Sequence, residues 1–328
     1  MLKKPDEYFL SEAFMYDRRR FIKNTGVALG GLALLSRGAA GVELVREVEP
    51  PSTIIPSANN GLATIELKLS NSVAWDYDVY GDKYALDMIN NELIRYSDGN
   101  AVWKKGGEAL GDRKLLNIPS SLASDIRGRV YVTDIGNSRV IVMSRNGRLL
   151  DVIRSTKKST LIYPKDLAVA NDRVYVADTS NHQIDIYDRR GRYKSSFGSL
   201  GFSYDDLNGP TSVAVGTDSD IFVVDKGNHG IKVFSHSGVL LDVYDGRRLG
   251  GVRDFNPCYI IMGPDGILYA ADASAGNIIA MTQRGRSLDT IELFLADGSK
   301  AQPRYLSFSP NGNLIVSAYS AIPASELR

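Results

Sequence analysis

An internal repeat of about 46 residues constrains this chain more than any other feature, because a repeat of fixed period must be recognised before a fold is proposed. Four successive units share a proline, an aspartate 14 or 15 positions later, and a glycine 13 positions after the aspartate. The prolines are Pro119, Pro164, Pro210 and Pro257; the aspartates are Asp134, Asp178, Asp225 and Asp272; and the glycines are Gly147, Gly191, Gly238 and Gly285. An earlier divergent copy contains Asp87, and a later copy opens at Pro303 but has Ala318 where the aspartate is expected.

Each unit alternates apolar and polar residues with a period of two, which predicts half-buried β-strands rather than helices. Val174, Val176, Ile184 and Ile186 illustrate the pattern. Glycine, asparagine, aspartate and serine separate the strands, as is typical of tight turns. About four short strands in 40 to 50 residues describe one blade of a β-propeller, whose sheets need neighbours to bury both faces.

The stretch "VYVADTSNHQIDIY", which follows a proline and a hydrophobic strand, resembles the NHL repeat, named for the triplet after the aspartate. The likeness extends from about Val73 to Tyr319. The triplet position holds Asn137-Ser138, Asn181-His182 and Asn228-His229, whereas the fifth unit has Ala275-Gly276. This resemblance implies a six-bladed β-propeller and does not imply one particular activity.

The last unit offers only two strands before the chain ends, so its blade needs two more. "LATIELKLS" at 62–70 alternates correctly for one of them, and "VELVREV" at 42–48 or "STIIP" at 52–56 is available for the other. We therefore expect an all-β, six-bladed NHL-type propeller over residues 62–328, with residues 41–61 as an extended connector or closing strand. N-terminal strands would then complete the final blade and remove its free edge.

Residues 1–40 have the organisation of a signal peptide, with a charged start, a short apolar stretch from Gly26 to Leu35, and small residues at 38–40. The stretch "DRRRFIK" resembles the twin-arginine export motif, with Arg18, Arg19, Phe21, Ile22 and Lys23 at the matching positions. These features predict recognition by the twin-arginine translocase and a periplasmic or extracellular mature protein without a transmembrane helix. An uncleaved N-terminal anchor is the alternative.

Charge argues against a nucleic-acid partner. Residues 1–40 contain seven of the 39 basic and four of the 38 acidic residues, which leaves 32 against 34 and a net charge of −2 in the remainder. Nucleic-acid binding depends on a basic face that neutralises phosphates. We therefore expect a protein, peptide or glycan partner outside the cytoplasm.

We interpret the repeated aspartates as structural, because a residue present in successive blades usually has a structural role in each blade. These aspartates are Asp87, Asp134, Asp178, Asp225 and Asp272. An aspartate at a strand end accepts hydrogen bonds from turn N–H groups. No metal or cofactor is expected. In propeller lyases that form peptide amides, the zinc histidines directly follow the repeat proline, and here those positions hold Ser120, Lys165, Thr211, Cys258 and Arg304.

The candidate ligand site is the central rim at the start of the first strands, formed by Lys165, Thr211, Cys258, Tyr259, Arg304 and Tyr305. Asp166 and Ser212 stand beside Lys165 and Thr211 at the same rim. Two cations and two tyrosines around a depression suit an anionic small molecule or a peptide carboxylate. The alternative is an ordinary rim, with Cys258 as a small apolar residue. Two functions follow: an exported binding scaffold, or a lyase or hydrolase that uses the central depression with unknown catalytic residues.

Overall fold

Strands β1 to β24 form six four-stranded sheets in the described part of the chain. The computed structural model describes residues 52–55, 65–69, 73–106, 115–155, 160–249, 254–295 and 298–320. The predicted signal segment and export motif therefore lie outside the described residues. Within these ranges, no helix combines the length and apolarity needed to cross a membrane.

Five of the sheets are blades built from four consecutive antiparallel strands. Blade 1 contains β3 (Val73–Tyr77), β4 (Lys83–Asp87), β5 (Glu92–Ser97) and β6 (Asn100–Gly106); blade 2 contains β7 (Pro119–Ser124), β8 (Val130–Asp134), β9 (Arg139–Met143) and β10 (Leu149–Arg154). Blade 3 contains β11 (Pro164–Ala170), β12 (Arg173–Asp178), β13 (Gln183–Asp188) and β14 (Tyr193–Phe197). Blade 4 contains β15 (Pro210–Val215), β16 (Ile221–Asp225), β17 (Gly230–Phe234) and β18 (Leu240–Tyr244); blade 5 contains β19 (Tyr259–Met262), β20 (Leu268–Asp272), β21 (Asn277–Met281) and β22 (Ser287–Glu292).

The composite sheet joins strands from the two ends of the described chain. It contains β1 (Ser52–Ile55), β2 (Ile65–Leu69), β23 (Ala301–Phe308) and β24 (Leu314–Ser320), in the order β1-β2-β24-β23. β2 pairs parallel to β24, with Ile65 opposite Leu314. The sequence predicts six blades, whereas the structure has five blades of consecutive strands. The reason is that the last repeat contributes only β23 and β24, and its sheet also contains β1 and β2.

The hydrophobic core is divided into apolar clusters between adjacent sheets. Phe222 and Tyr244 of blade 4, for example, pack with Leu268 and Ile279 of blade 5. Blades 1 and 2, 2 and 3, and 3 and 4 share similar clusters. The composite sheet packs in this way on blade 5 and, through Ile315, on blade 1. Each fully buried large apolar side chain contributes about 1.5 to 3 kcal/mol, so the contacts between sheets hold the fold together.

The NHL-type triplet forms the turn between the second and third strands of a blade. In blade 3, Asn181 Nδ2 donates to Asp178 Oδ2 at 2.7 Å, and the Ile162 and Tyr163 N–H groups donate to Asp178 Oδ1. His182 ends the turn in the left-handed conformation, with φ 55°. Gly276, with φ 67°, has the same role in blade 5, where the triplet is absent, because glycine adopts this conformation without strain.

The two ends of the assembly differ in their loops. At the proline end, Pro119, Pro164 and Pro210 begin first strands, and the connections between sheets and the triplet turns lie beside them. At the hairpin end lie the turns between first and second strands and between third and fourth strands. The repeated glycine Gly285 lies in one of these latter turns, where a Cβ would approach the Tyr244 ring of blade 4 to 2.6 Å. This close approach and its φ of 73° both require glycine.

Candidate functional site

Three polar side chains, each two positions after a repeat proline, meet in one hydrogen-bonded group. Ser121 of blade 2 and Ser212 of blade 4 both donate to Asp166 of blade 3, at 2.6 Å from Ser121 Oγ to Oδ1 and 2.5 Å from Ser212 Oγ to Oδ2. The Val213 N–H donates to the same Oδ2 at 3.0 Å. Asp166 is only 2% exposed, so its carboxyl group connects three blades from a buried position.

Burial dominates the acid–base properties of this group. It raises the pKa of Asp166 above the ordinary value, although the hydrogen bonds from Ser121 and Ser212 act in the opposite direction. Burial also raises the pKa of the Tyr259 hydroxyl well above its usual value, although the nearby Ser121 acts in the opposite direction. The carboxyl group of Asp166 therefore retains its proton to a higher pH than it would in water.

Tyr259 and Tyr305 lie at the proline end of the cavity that the first strands of the sheets enclose. Their ring centroids are 5.3 Å apart, and both side chains line the same cavity. Tyr305 Oη donates to the carbonyl of Ser120, which connects the composite sheet with blade 2. The two tyrosines are thus held in place by contacts between sheets.

The other predicted rim residues surround these tyrosines. Thr211 is buried, and its Oγ1 donates to the carbonyl of Cys258 at 3.2 Å. Cys258 Sγ lies 3.5 Å from the Pro303 carbonyl. Lys165 is half-buried and Arg304 is exposed. The six predicted residues therefore lie around one rim, but Thr211 and the tyrosines make contacts between sheets instead of facing open solvent.

The environment of Cys258 opposes ionisation of its thiol. Burial raises its pKa, and the positive charges of Arg304, Lys226 and Lys165 offset only part of that effect. Because the thiolate is the nucleophilic form, the site does not activate Cys258.

Two repeat histidines at the proline end take part in turn contacts. His182 Nδ1 accepts the Gly209 N–H at 2.9 Å, and His229 Nδ1 lies 3.3 Å from Asn256 Oδ1. Burial lowers the pKa of His182 below its ordinary value. Over the described ranges, no three His, Cys, Asp or Glu side chains are grouped as a metal site would require.

Below the tyrosines, towards the hairpin end, lies a cavity of about 220 Å³, which is called the central channel below. The first strands of all five blades and β23 of the composite sheet contribute to its walls. Most of the lining side chains are apolar, including Val169, Val215 and Ile261. Asp76 of blade 1 lies among them.

The connector loop, residues 198–209, joins blade 3 to blade 4 at the proline end and exposes large apolar side chains. Leu200 is 61% exposed, Phe202 83% and Tyr204 66%. Beneath them, Leu207 is fully buried and donates its N–H to the Ser199 carbonyl at 2.8 Å. The loop therefore has a buried anchor and an exposed aromatic tip.

Lys232 of blade 4 fixes this loop from below. Its Nζ donates to the carbonyls of Ser203, at 3.3 Å, and Asp206, and it pairs with Asp225 at 3.0 Å. The side chain of Lys232 is only 6% exposed. Because a buried ammonium needs its partners, these contacts tether the loop to blade 4.

Sequence reasoning placed Asp166 and Ser212 at the inner rim, but it did not include them, Ser121, Asp76 or the connector loop among the candidate ligand residues. Their position in the repeat was the available signal for Ser121, Asp166 and Ser212, because each stands two positions after a repeat proline. Asp76 has no comparable signal, since no proline opens blade 1. The unusual content of the loop is visible in "GSLGFSYDDLNG", which places two aromatic residues between turn residues.

Comparison with known proteins supports the repeat assignment. The family model described as the NHL repeat matches residues 161–187, which cover β11, β12 and all but the last residue of β13 in blade 3. The chain is similar to NHL repeat-containing protein 3 of Homo sapiens, with 29% identity over 136 residues, covering 40% of this chain and 37% of that protein. It is also similar to NHL repeat-containing protein 3 of Mus musculus, with 34% identity over 84 residues and 24% coverage of each. The matches thus span about a third and a quarter of these relatives.

Solved structures share the fold. A streptogramin B lyase aligns with a TM-score of 0.58 at 15% identity, covering 75% of this chain and 76% of that one. Virginiamycin B lyase from Staphylococcus aureus gives 0.58 at 12% identity, covering 81% of both chains. A chain of a nidogen/laminin complex gives 0.57 at 17% identity, covering 76% of this chain and 86% of that one. These similarities establish the all-β propeller fold, and the family match places an NHL repeat in blade 3.

Proposed function

We propose that this protein is an exported six-bladed propeller that binds a protein partner through its proline end. Propellers combine a rigid frame with loops that vary freely, which suits recognition. The structures that share this fold include lyases and a chain of a protein complex. The fold alone is therefore compatible with catalysis or with binding, and the choice depends on the site.

The composite sheet supports a closed ring of six blades. Its inner strand β23 contacts β19 on one side and β3 on the other, and it lines the same cavity as the first strands of the five blades. In this proposal, β1 and β2 complete the sixth blade, and the pairing of β2 with β24 removes the free edge that an open propeller exposes.

Export is supported by the sequence of residues 1–40. The Arg18-Arg19 pair precedes Phe21, Ile22 and Lys23 in the spacing of the twin-arginine motif. Replacing both arginines with lysine is expected to retain the protein in the cytoplasm, and cell fractionation with N-terminal sequencing measures this. Unchanged export of the double-lysine variant would contradict the proposed route.

The connector loop is the observation that carries the binding function. Exposed aromatic side chains are costly in water and are the usual anchors of protein interfaces. Here the anchors Phe202 and Tyr204 stand on a loop that Lys232 already holds in place. A preorganised loop loses little conformational entropy on binding, so its aromatic side chains contribute more of their contact energy to affinity.

The test is affinity capture from the cell envelope with the exported protein, followed by mass spectrometry. The Phe202→Ser/Tyr204→Ser double variant is expected to lose a partner that the unaltered protein captures. Ile126→Ser is the matched control, because Ile126 is 70% exposed but lies at the hairpin end. Identical capture by the unaltered protein and the double variant would refute binding through this loop.

An enzyme is the second candidate, and the Asp166 group favours it. Carboxyl groups with a raised pKa beside a tyrosine are frequent in acid–base catalysis. In this alternative, Lys165 and Arg304 at the rim would stabilise an anionic or peptide-like substrate. Screening lyase and hydrolase substrates with the unaltered protein and Asp166→Asn, which retains the size of the side chain, tests it. Turnover that is lost in Asp166→Asn but kept in Phe202→Ser would favour the enzyme over the scaffold.

A further inference from the structure

The central channel has features that neither the sequence nor the proposed function explains. Its lining continues to the last residues of three first strands, Ala170 of β11, Val215 of β15 and Met262 of β19. The channel therefore extends away from the tyrosines and towards the hairpin end. At about 220 Å³ it has room for several water molecules or a small organic molecule.

Asp76 gives this channel its electrostatic character. Among the described residues that line it, Asp76 is the only one with an ionisable carboxyl or basic group. Asp76 Oδ2 accepts the Ser124 N–H at 2.7 Å. Asp76 belongs to no ion pair found within the described ranges.

Asp76 is half-buried, and none of the ion pairs within the described ranges supplies it with a positive charge. Burial raises the pKa of Asp76 to about 6, despite hydrogen bonds from Ser124 and the main chain of Tyr77, and the nearby charge of Asp78 adds to the increase. A cation brought to this carboxylate would supply the missing compensation. Most of the other lining side chains are aliphatic, so the rest of the cation needs to be apolar.

We propose that the central channel binds a small organic cation, an alkylammonium with a chain of about three to five carbons. Its ammonium group donates to Asp76, as charge-assisted hydrogen bonds favour. Its alkyl chain lies among Val169, Val215 and Ile261, where transfer from water is favourable for each methylene group. This site is separate from the connector loop and does not depend on the proposed partner.

The probe is n-butylammonium chloride, titrated into the full-length protein at pH 7.5 and followed by calorimetry. Sodium butyrate and n-butanol have the same chain length without the positive charge. Butylammonium is expected to bind at least tenfold more tightly than either of them. Asp76→Asn, which keeps the size and the acceptor oxygen of the side chain, is expected to lose at least tenfold in affinity for butylammonium.

A second variant tests the location. Val215→Phe fills the channel and is expected to abolish binding of butylammonium, whereas Phe202→Ser at the connector loop leaves it unchanged. Equal affinity of the unaltered protein and Asp76→Asn, equal affinity for butanol and butylammonium, or no detectable binding would each overturn the proposal. Because Phe202→Ser serves here as a control, failure at the channel is distinguishable from failure of partner binding.

Discussion

The replacement of Asp76 by asparagine is expected to stabilise the protein at neutral pH and to do so less at acidic pH. In the folded state the pKa of this carboxyl is raised from 3.8 to about 6 because the group is buried. A raised folded-state pKa means that the carboxyl contributes stability below pH 3.8 and that this contribution is lost as pH rises through about 6. Asparagine is neutral throughout, so its variant does not lose this contribution.

The magnitude follows from the two pKa values. At about 1.36 kcal/mol for each pKa unit, ionised and buried Asp76 costs about 3 kcal/mol above pH 7. At pH 4.5 the carboxyl of Asp76 is protonated in the folded state, and the loss of stability caused by Asp76 falls to about 1 kcal/mol. The stability advantage of Asp76→Asn therefore increases by about 2 kcal/mol between pH 4.5 and pH 7.5.

Urea unfolding of both proteins at several pH values measures this difference. Asp218→Asn, at an exposed position, is the control for the change in net charge. Ionisable groups other than Asp76 are common to both proteins, and their contributions largely cancel when the two unfolding free energies are subtracted. A difference that is constant between pH 4.5 and pH 7.5, or that decreases with pH, would refute the assignment of Asp76 as a half-buried carboxyl whose pKa is raised.

Three further changes probe the rim and the loop. Asp166→Ala is expected to lower the free energy of unfolding in urea by about 3 kcal/mol, because it leaves buried donors without an acceptor. Asp166→Asn is expected to lower it less. Equal losses in the two variants would contradict this account. Lys232→Met removes one member of a buried ion pair, with an expected cost of about 3 to 5 kcal/mol. Hydrogen exchange should then accelerate at the Gly201 and Leu207 N–H groups, and unchanged exchange there would show that Lys232 does not fix the loop. Cys258 should react with iodoacetamide at pH 7.5 more slowly in the folded protein than in urea, because burial raises the pKa of its thiol. Equal rates would show that the fold does not raise this pKa.

Sequence reasoning predicted the all-β propeller fold because its signals are local. The alternation at Val174 and Val176 specifies a strand, and the spacing from Asp178 to Gly191 specifies a hairpin of fixed length. Such patterns repeat in each unit, so one blade predicts the next. The fold is confirmed at this level, together with an NHL repeat in blade 3.

The candidate site was harder to predict because its contacts join distant positions. Ser121, Asp166 and Ser212 lie 45 and 46 residues apart in the chain and meet only when three blades are assembled. No local pattern distinguishes a rim residue that faces solvent from one that contacts another sheet. Thr211 illustrates this limit, since it is polar and stands beside a repeat proline but is buried.

The parallel pairing of β2 with β24 also determines the order in which the fold can form during synthesis. Each of the five blades needs only its own consecutive strands, which pair over short distances along the chain. The composite sheet instead places Ile65 opposite Leu314, so the ribosome must translate the chain as far as β24 before these residues can meet. Closing so long a segment is slow compared with forming a hairpin. The composite sheet is therefore the last to form, and any step that requires the finished fold waits for the final strand.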